Sequence, residues 1–192
     1  MGKAQRRDEL LDAARRVFAE KGFHEAKVED IAQAAGVAKG TLYLYFPDKR
    51  SVFSELIDHL FLRLSGAILR VDTDGDVRNQ VKHNIRAVLG VLLDDPDSMR
   101  ILFNHAGGVD RSFSEKIEGF YDGLKQMLAE SLEEGQGLAI VAEGDPRLYA
   151  AFTLGALKEL LTEVARADDR PRTREALVES VYQLLQSGYL RG

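Results

Sequence analysis

The chain has 192 residues, 45% hydrophobic and 30% charged, with no cysteine and a formal charge of −5; this balance fits one large globular domain or two small ones sharing a core. Without cysteine there is neither a disulfide framework nor a thiolate metal site. No apolar run approaches the roughly 20 residues that span a bilayer, and the basic start Met1-Gly2-Lys3 has no apolar stretch behind it to make a secretory signal, so the expected location is the cytoplasm.

Helical periodicity runs throughout, and nothing shows the period-two alternation between hairpin turns that marks strands. The fold class is therefore all-α, with about nine helices. The first covers residues 5–21, with Leu10, Ala14, Val17 and Phe18 on one stripe, and Gly22 as its C-terminal stop. A short helix over 28–35 turns Ile31, Ala32 and Ala35 inward and breaks at Gly36, and another over 38–45 ends before Pro47. A fourth runs from 48 or 49 to about 69, with Phe53, Leu56, Ile57, Leu60 and Leu64 on one face. The polar run 72–76 is a candidate boundary. Beyond it, helices are expected over 77–93, 97–106, 112–134, 146–167 and 173–189, with 135–145 as a loop whose apolar segment Leu138 to Val141 must pack somewhere.

The informative stretch runs from Val28 to Lys49. Ala32 is small where a second helix must cross, Gly36 tolerates the positive φ of a tight turn, and Val37 and Leu42 pin the second helix to the first. This is the spacing of a helix-turn-helix. Lys39, Gly40, Thr41, Tyr43 and Leu44 then face outward and offer charge, close backbone approach, hydroxyls and an apolar tip, which suit base edges and phosphates of a major groove. The Tyr45 hydroxyl and the Lys49 ammonium are placed to reach further phosphates. Residues 1–50 hold ten Lys/Arg against eight Asp/Glu, and the remainder 16 against 23, so a mildly basic head sits on an acidic body.

Gly36-Val37-Ala38-Lys39-Gly40-Thr41-Leu42-Tyr43-Leu44-Tyr45-Phe46-Pro47-Asp48-Lys49, preceded by Phe18-Ala19-Glu20-Lys21-Gly22-Phe23, resembles the signature of the TetR family. The resemblance implies a three-helix DNA-binding head, residues 1–48, joined to a helical ligand-binding and dimerisation domain, residues 49–192. It implies that Lys39 and Gly40 approach bases while Thr41, Tyr43, Tyr45 and Lys49 mainly grip phosphates. Two positions depart from the pattern. Lys27 stands where Thr is frequent, exchanging a capping hydroxyl for a charge that adds a phosphate contact. Ala38 stands where Ser is common, and loses an N-cap bond of about 1 kcal/mol.

The implied partners are operator DNA, a small apolar or amphipathic effector and a second copy of the chain, with no cofactor and no metal. Met99, Phe103, His105, Phe120, Tyr121, Met127 and Phe152 are the candidate ligand-lining residues, although such a set is more often plain core than pocket lining. The last two helices are the expected dimer interface, with Leu148, Ala151, Phe152, Gly155, Ala156, Leu160 and Val164 on one and Leu177, Val181, Leu184 and Leu185 on the other; a buried intramolecular pair is the alternative. Lys3, Arg6 and Arg7 read either as an arm touching DNA or as a frayed terminus. No nucleophile elbow, phosphate-binding glycine loop or catalytic dyad is present, which excludes the familiar enzyme signatures. The rival function is a small-molecule sensor or carrier without DNA binding.

Overall fold

The computed structural model describes residues 2–103, 111–166 and 173–191. Among them are nine helices: α1 (Lys3–Glu25), α2 (Val28–Ala34), α3 (Lys39–Tyr43), α4 (Lys49–Ala67), α5 (Val77–Leu93), α6 (Pro96–Phe103), α7 (Arg111–Gly137), α8 (Pro146–Arg166) and α9 (Arg174–Gly188). The described residues contain no strand beyond an isolated antiparallel bridge between Val141 and Leu190.

The chain forms two compact units. The first joins residues 1–62 to 95–120, and the second joins 63–94 to 121–192. α6 and the start of α7 thus group with the N-terminal helices and the first part of α4.

In the first unit α1 buries Leu10, Leu11, Ala13, Ala14, Val17 and Phe18, as its stripe requires. Gly22 interrupts the helical path at φ 74° and ψ 159°, so the expected stop is a kink with one more turn to Glu25 beyond it. That turn carries Phe23 into the core. Phe23, Phe53 and Phe113 lie with ring centroids 4.6–5.0 Å apart, within the range for favourable aromatic pairs. α6 is held to α1 by a buried carboxylate. Asp95 is 5% exposed; one oxygen accepts from the Ser98 backbone N–H at 3.1 Å, and the other from Arg15 Nη1 at 2.8 Å and Ser98 Oγ at 2.9 Å. This residue caps α6 and pairs across 80 positions of sequence.

In the second unit α5 packs on α9. Leu89 and Leu92 are buried, and Lys82 and Arg86 along α5 pair with Glu179 and Glu175 of α9. The segment after α7 finds its place here. Val141 is buried with Leu132, Ala150 and Tyr189, and Ala142 N–H donates to the Tyr189 carbonyl at 2.7 Å. Leu138 stays 45% exposed.

α8 and α9 each have an inward and an outward side. Ala150 and Leu161 of α8 and Leu177, Val178 and Tyr182 of α9 are buried within the protomer. Leu177 is therefore a core residue and does not belong to the dimer surface expected of it. Leu148, Ala151, Phe152, Gly155 and Ala156 on α8 and Leu184 on α9 are exposed. On α8 the spacing of these residues places them on one face, as an exposed apolar strip.

Candidate nucleic-acid interface

α2 and α3 meet through the expected turn. Gly36 takes φ 66°, and Val37 N–H donates to the Ala32 carbonyl at 2.9 Å. Ile31, Ala32 and Leu42 are buried, and Phe46 just past α3 is 1% exposed. α3 has only five residues, shorter than the 38–45 span expected, but Tyr45 and Phe46 N–H both donate back to the Leu42 carbonyl at 3.0 Å and complete the turn.

The two departures from the family pattern have visible consequences. Ala38 gives α3 no side-chain cap. At the start of α2 the cap comes from Asp30, whose carboxylate accepts the Lys27 N–H at 2.9 Å and pairs with Lys21 at 2.9 Å. The Lys21 hydrogen bond, with that of the Lys27 backbone, holds the Asp30 pKa below its ordinary value. The Lys27 side chain is left exposed.

Of the residues expected to face outward here, Lys39, Gly40, Tyr43 and Leu44 are exposed. Leu44 is 78% exposed and Tyr43 44%, while Thr41 and Tyr45 are half-buried. Gly40 is exposed, and a Cβ there would have no neighbour within 4 Å. Lys39 lies 5.7 Å from the Tyr43 ring centroid and pairs with Glu29 at 2.5 Å. That hydrogen bond lowers the Glu29 pKa and raises that of Lys39. A fully exposed pair is weak and screened by salt, so a phosphate can take the place of Glu29.

Lys49 has another task. Its ammonium donates to the carbonyls of Phe23 (2.6 Å), Ala26 (2.8 Å) and His24 (3.2 Å), and lies over the Phe23 ring. An ammonium has three donors, so this set fastens the first turn of α4 to the end of α1. Arg7, which sequence reasoning left as an arm or a frayed end, is likewise built in. Its guanidinium grips both carboxylate oxygens of Glu55 and donates to the Tyr45 carbonyl at 3.0 Å. The partners lie 48 and 38 residues away, so no local pattern announces them.

The candidate ligand residues fall in different settings. Met99 and Phe120 are buried in the first unit. Tyr121 and Met127 are half-buried in the second, where the Lys158 ammonium lies 5.3 Å from the Tyr121 ring centroid and burial pushes the phenol up to about 12. Phe152 is 72% exposed on the apolar strip of α8, which takes it out of any cavity inside the protomer. Phe103 closes α6, its side chain not being described, and His105 lies outside the described residues. A cleft of about 180 Å³ in the first unit is lined by residues that include Phe18, Phe23, Phe53, Phe113, Lys21 and Arg100. It falls short of the roughly 300–1,000 Å³ that small-molecule sites occupy.

No described helix is long and apolar enough to cross a membrane, and the described residues contain no group of three or more His, Cys, Asp or Glu able to hold a metal.

Comparison with known proteins agrees with this geometry. The family described as bacterial regulatory proteins, tetR family, matches residues 10–56. The fatty acid metabolism regulator protein of Bacillus subtilis is 29% identical over 189 residues, covering 94% of this chain and 93% of that protein. Among solved structures, the fatty acid degradation regulator FadR of Bacillus halodurans superposes with a TM-score of 0.84 at 32% identity, with 98% of each chain covered. FadR of Bacillus subtilis in complex with stearoyl-CoA gives a TM-score of 0.76 at 28% identity, covering 94% of this chain and 98% of that one.

Proposed function

We propose, from the premise that this chain belongs to the TetR family of bacterial transcriptional regulators, that it represses by occupying an operator and is released by a long-chain acyl-CoA. The protein is a DNA-binding, ligand-responsive regulator that acts as a dimer. The finer assignments are ours. Residues 1–48 read DNA, and 49–192 bind ligand and dimerise through the outward faces of α8 and α9. Its place is the cytoplasm, with its DNA, and we assign it no catalytic step.

The observation that carries the DNA assignment is the seating of α3. Leu42 and Phe46 lock it inward, while Lys39, Gly40, Tyr43 and Leu44 are exposed and Thr41 is half-buried beside them. In a symmetric dimer two such helices enter successive major grooves about 34–36 Å apart. Lys27 and Tyr45 are assigned to flanking phosphates. Lys49 is assigned to holding α4 in place, since its ammonium is committed to backbone carbonyls. The acyl-CoA assignment is supported by the fatty-acid regulators among the relatives and by the stearoyl-CoA bound to one of them.

Selection of bound fragments from genomic DNA, followed by gel shift at several salt concentrations, tests the first half. Specific retention that weakens with salt is expected, and its absence would end the reading. Adding stearoyl-CoA should release the fragment at micromolar concentration while coenzyme A alone does not; equal indifference to both would remove the acyl-CoA assignment and leave the DNA reading standing.

A further inference from the structure

We propose that Arg7 is the positioning residue of the recognition helix, and that discrimination between operator and random DNA depends on its hold on the end of α3. The inference rests on the DNA-reading face assigned above. At five residues and without a side-chain N-cap, α3 is too short to hold its own geometry, because isolated helices below about 12 residues are marginal. Its orientation has to be imposed from outside. Leu42 and Phe46 fix its depth, but apolar contacts are non-directional and leave rotation about the contact open.

Arg7 supplies direction. One planar guanidinium donates from Nη1 to the Tyr45 carbonyl at 3.0 Å, from Nε to Glu55 Oε1 at 2.5 Å, and from Nη2 to the other Glu55 oxygen. It lies over the Phe46 ring, 4.4 Å from the centroid. Three elements are thus tied at one point: the start of α1, the carbonyl end of α3 and the second turn of α4. The atom gripped belongs to the backbone directly after Tyr43 and Leu44. The Arg7 side chain is 38% exposed and Glu55 22%, and a pair so open to water adds little to global stability. What it adds is angle. Base contacts specify and phosphate contacts position, so a loosened α3 loses base readout first.

Lysine is the informative replacement. It keeps the charge and can pair with Glu55, but it lacks the fork that reaches two partners in one plane. In the full-length chain, Arg7→Lys should melt close to wild type and bind a random duplex as wild type does. It should bind the genomic fragment selected by wild type roughly tenfold more weakly, the worth of one charge-assisted hydrogen bond. Amide exchange at Tyr45 and Phe46 should speed up in the same variant. Arg7→Met and Glu55→Gln should move the ratio of specific to random affinity in the same direction. The role is overturned if Arg7→Lys and Arg7→Met both keep the wild-type ratio. It is equally overturned if specific and random affinity fall together with the melting temperature, which would mark Arg7 as a fold residue. A wild-type chain that selects no fragment would instead defeat the DNA reading itself.

Discussion

Three glycines of the N-terminal head separate backbone cost from DNA contact. Gly36 has φ 66° and Gly22 has φ 74° with ψ 159°, yet a Cβ at either position meets nothing within 4 Å. Alanine at these sites therefore pays only in backbone strain. For Gly36 that is about 1–2 kcal/mol, the cost of a left-handed conformation for an L-residue. Gly22 lies in the region at positive φ and extended ψ that is almost exclusive to glycine, and there the cost is about 1–3 kcal/mol. Gly40 is the internal control. Its φ is not positive and its surroundings are open, and alanine is the better helix former by up to about 1 kcal/mol. Gly40→Ala should leave stability unchanged or raise it, while its methyl group stands between α3 and the duplex and weakens operator binding. The assay is urea unfolding followed by circular dichroism, at one protomer concentration because dimerisation couples to stability. In a chain of this size each kcal/mol corresponds to about 2–4 °C in melting temperature. A Gly36→Ala chain that unfolds at the wild-type urea midpoint with an unchanged slope would refute the argument.

Other outcomes follow from the same structure. Asp95→Ala removes the α6 cap and one of the two carboxylates paired with Arg15, a guanidinium only a quarter exposed that keeps the exposed Asp12, so a loss of about 2–3 kcal/mol is expected in the same unfolding assay; a loss within error would show that the pair is not formed in solution. Asp48 accepts the Ser51 N–H at 2.7 Å and the Ser51 hydroxyl at 2.8 Å, backbone bond first in weight, and is held below its ordinary 3.8. With the folded value below the unfolded one, this stabilisation is present above pH 3.8 and is lost as pH falls through the lower value; Asp48→Asn should flatten that part of the acid-unfolding curve, and an identical curve would discount the contact. Phe152→Glu places a charge on the apolar strip and should yield a helical monomer in sedimentation velocity that no longer retains operator; a persistent dimer would place the interface elsewhere. Tyr43→Ala should abolish specific retention with the melting temperature preserved, and retained affinity would remove Tyr43 from the reading face.

The helices and the helix-turn-helix were legible in the sequence because their signals are local. A stripe such as Leu10, Ala14, Val17 and Phe18 repeats within one or two turns, and the need for positive φ at Gly36 is settled by its immediate neighbours. The outward face of α3 follows from the same short range: once Leu42 is buried, helical geometry dictates where Tyr43 and Leu44 point. Tertiary structure decided what lies far apart in the chain. Arg7 with Glu55, Lys49 with the end of α1, and Arg15 with Asp95 join partners 23 to 80 residues apart, and a single charged residue carries no periodic mark of the carbonyl or carboxylate it will meet. The division of Leu177 and Phe152 between core and surface was decided the same way, since both are apolar residues on helical stripes and only the packed neighbours determine which side of the helix is covered. The grouping of α6 with the head has that origin too: the polar run at 72–76 advertises a break in local propensity, whereas a compact unit is defined by burial summed over distant segments.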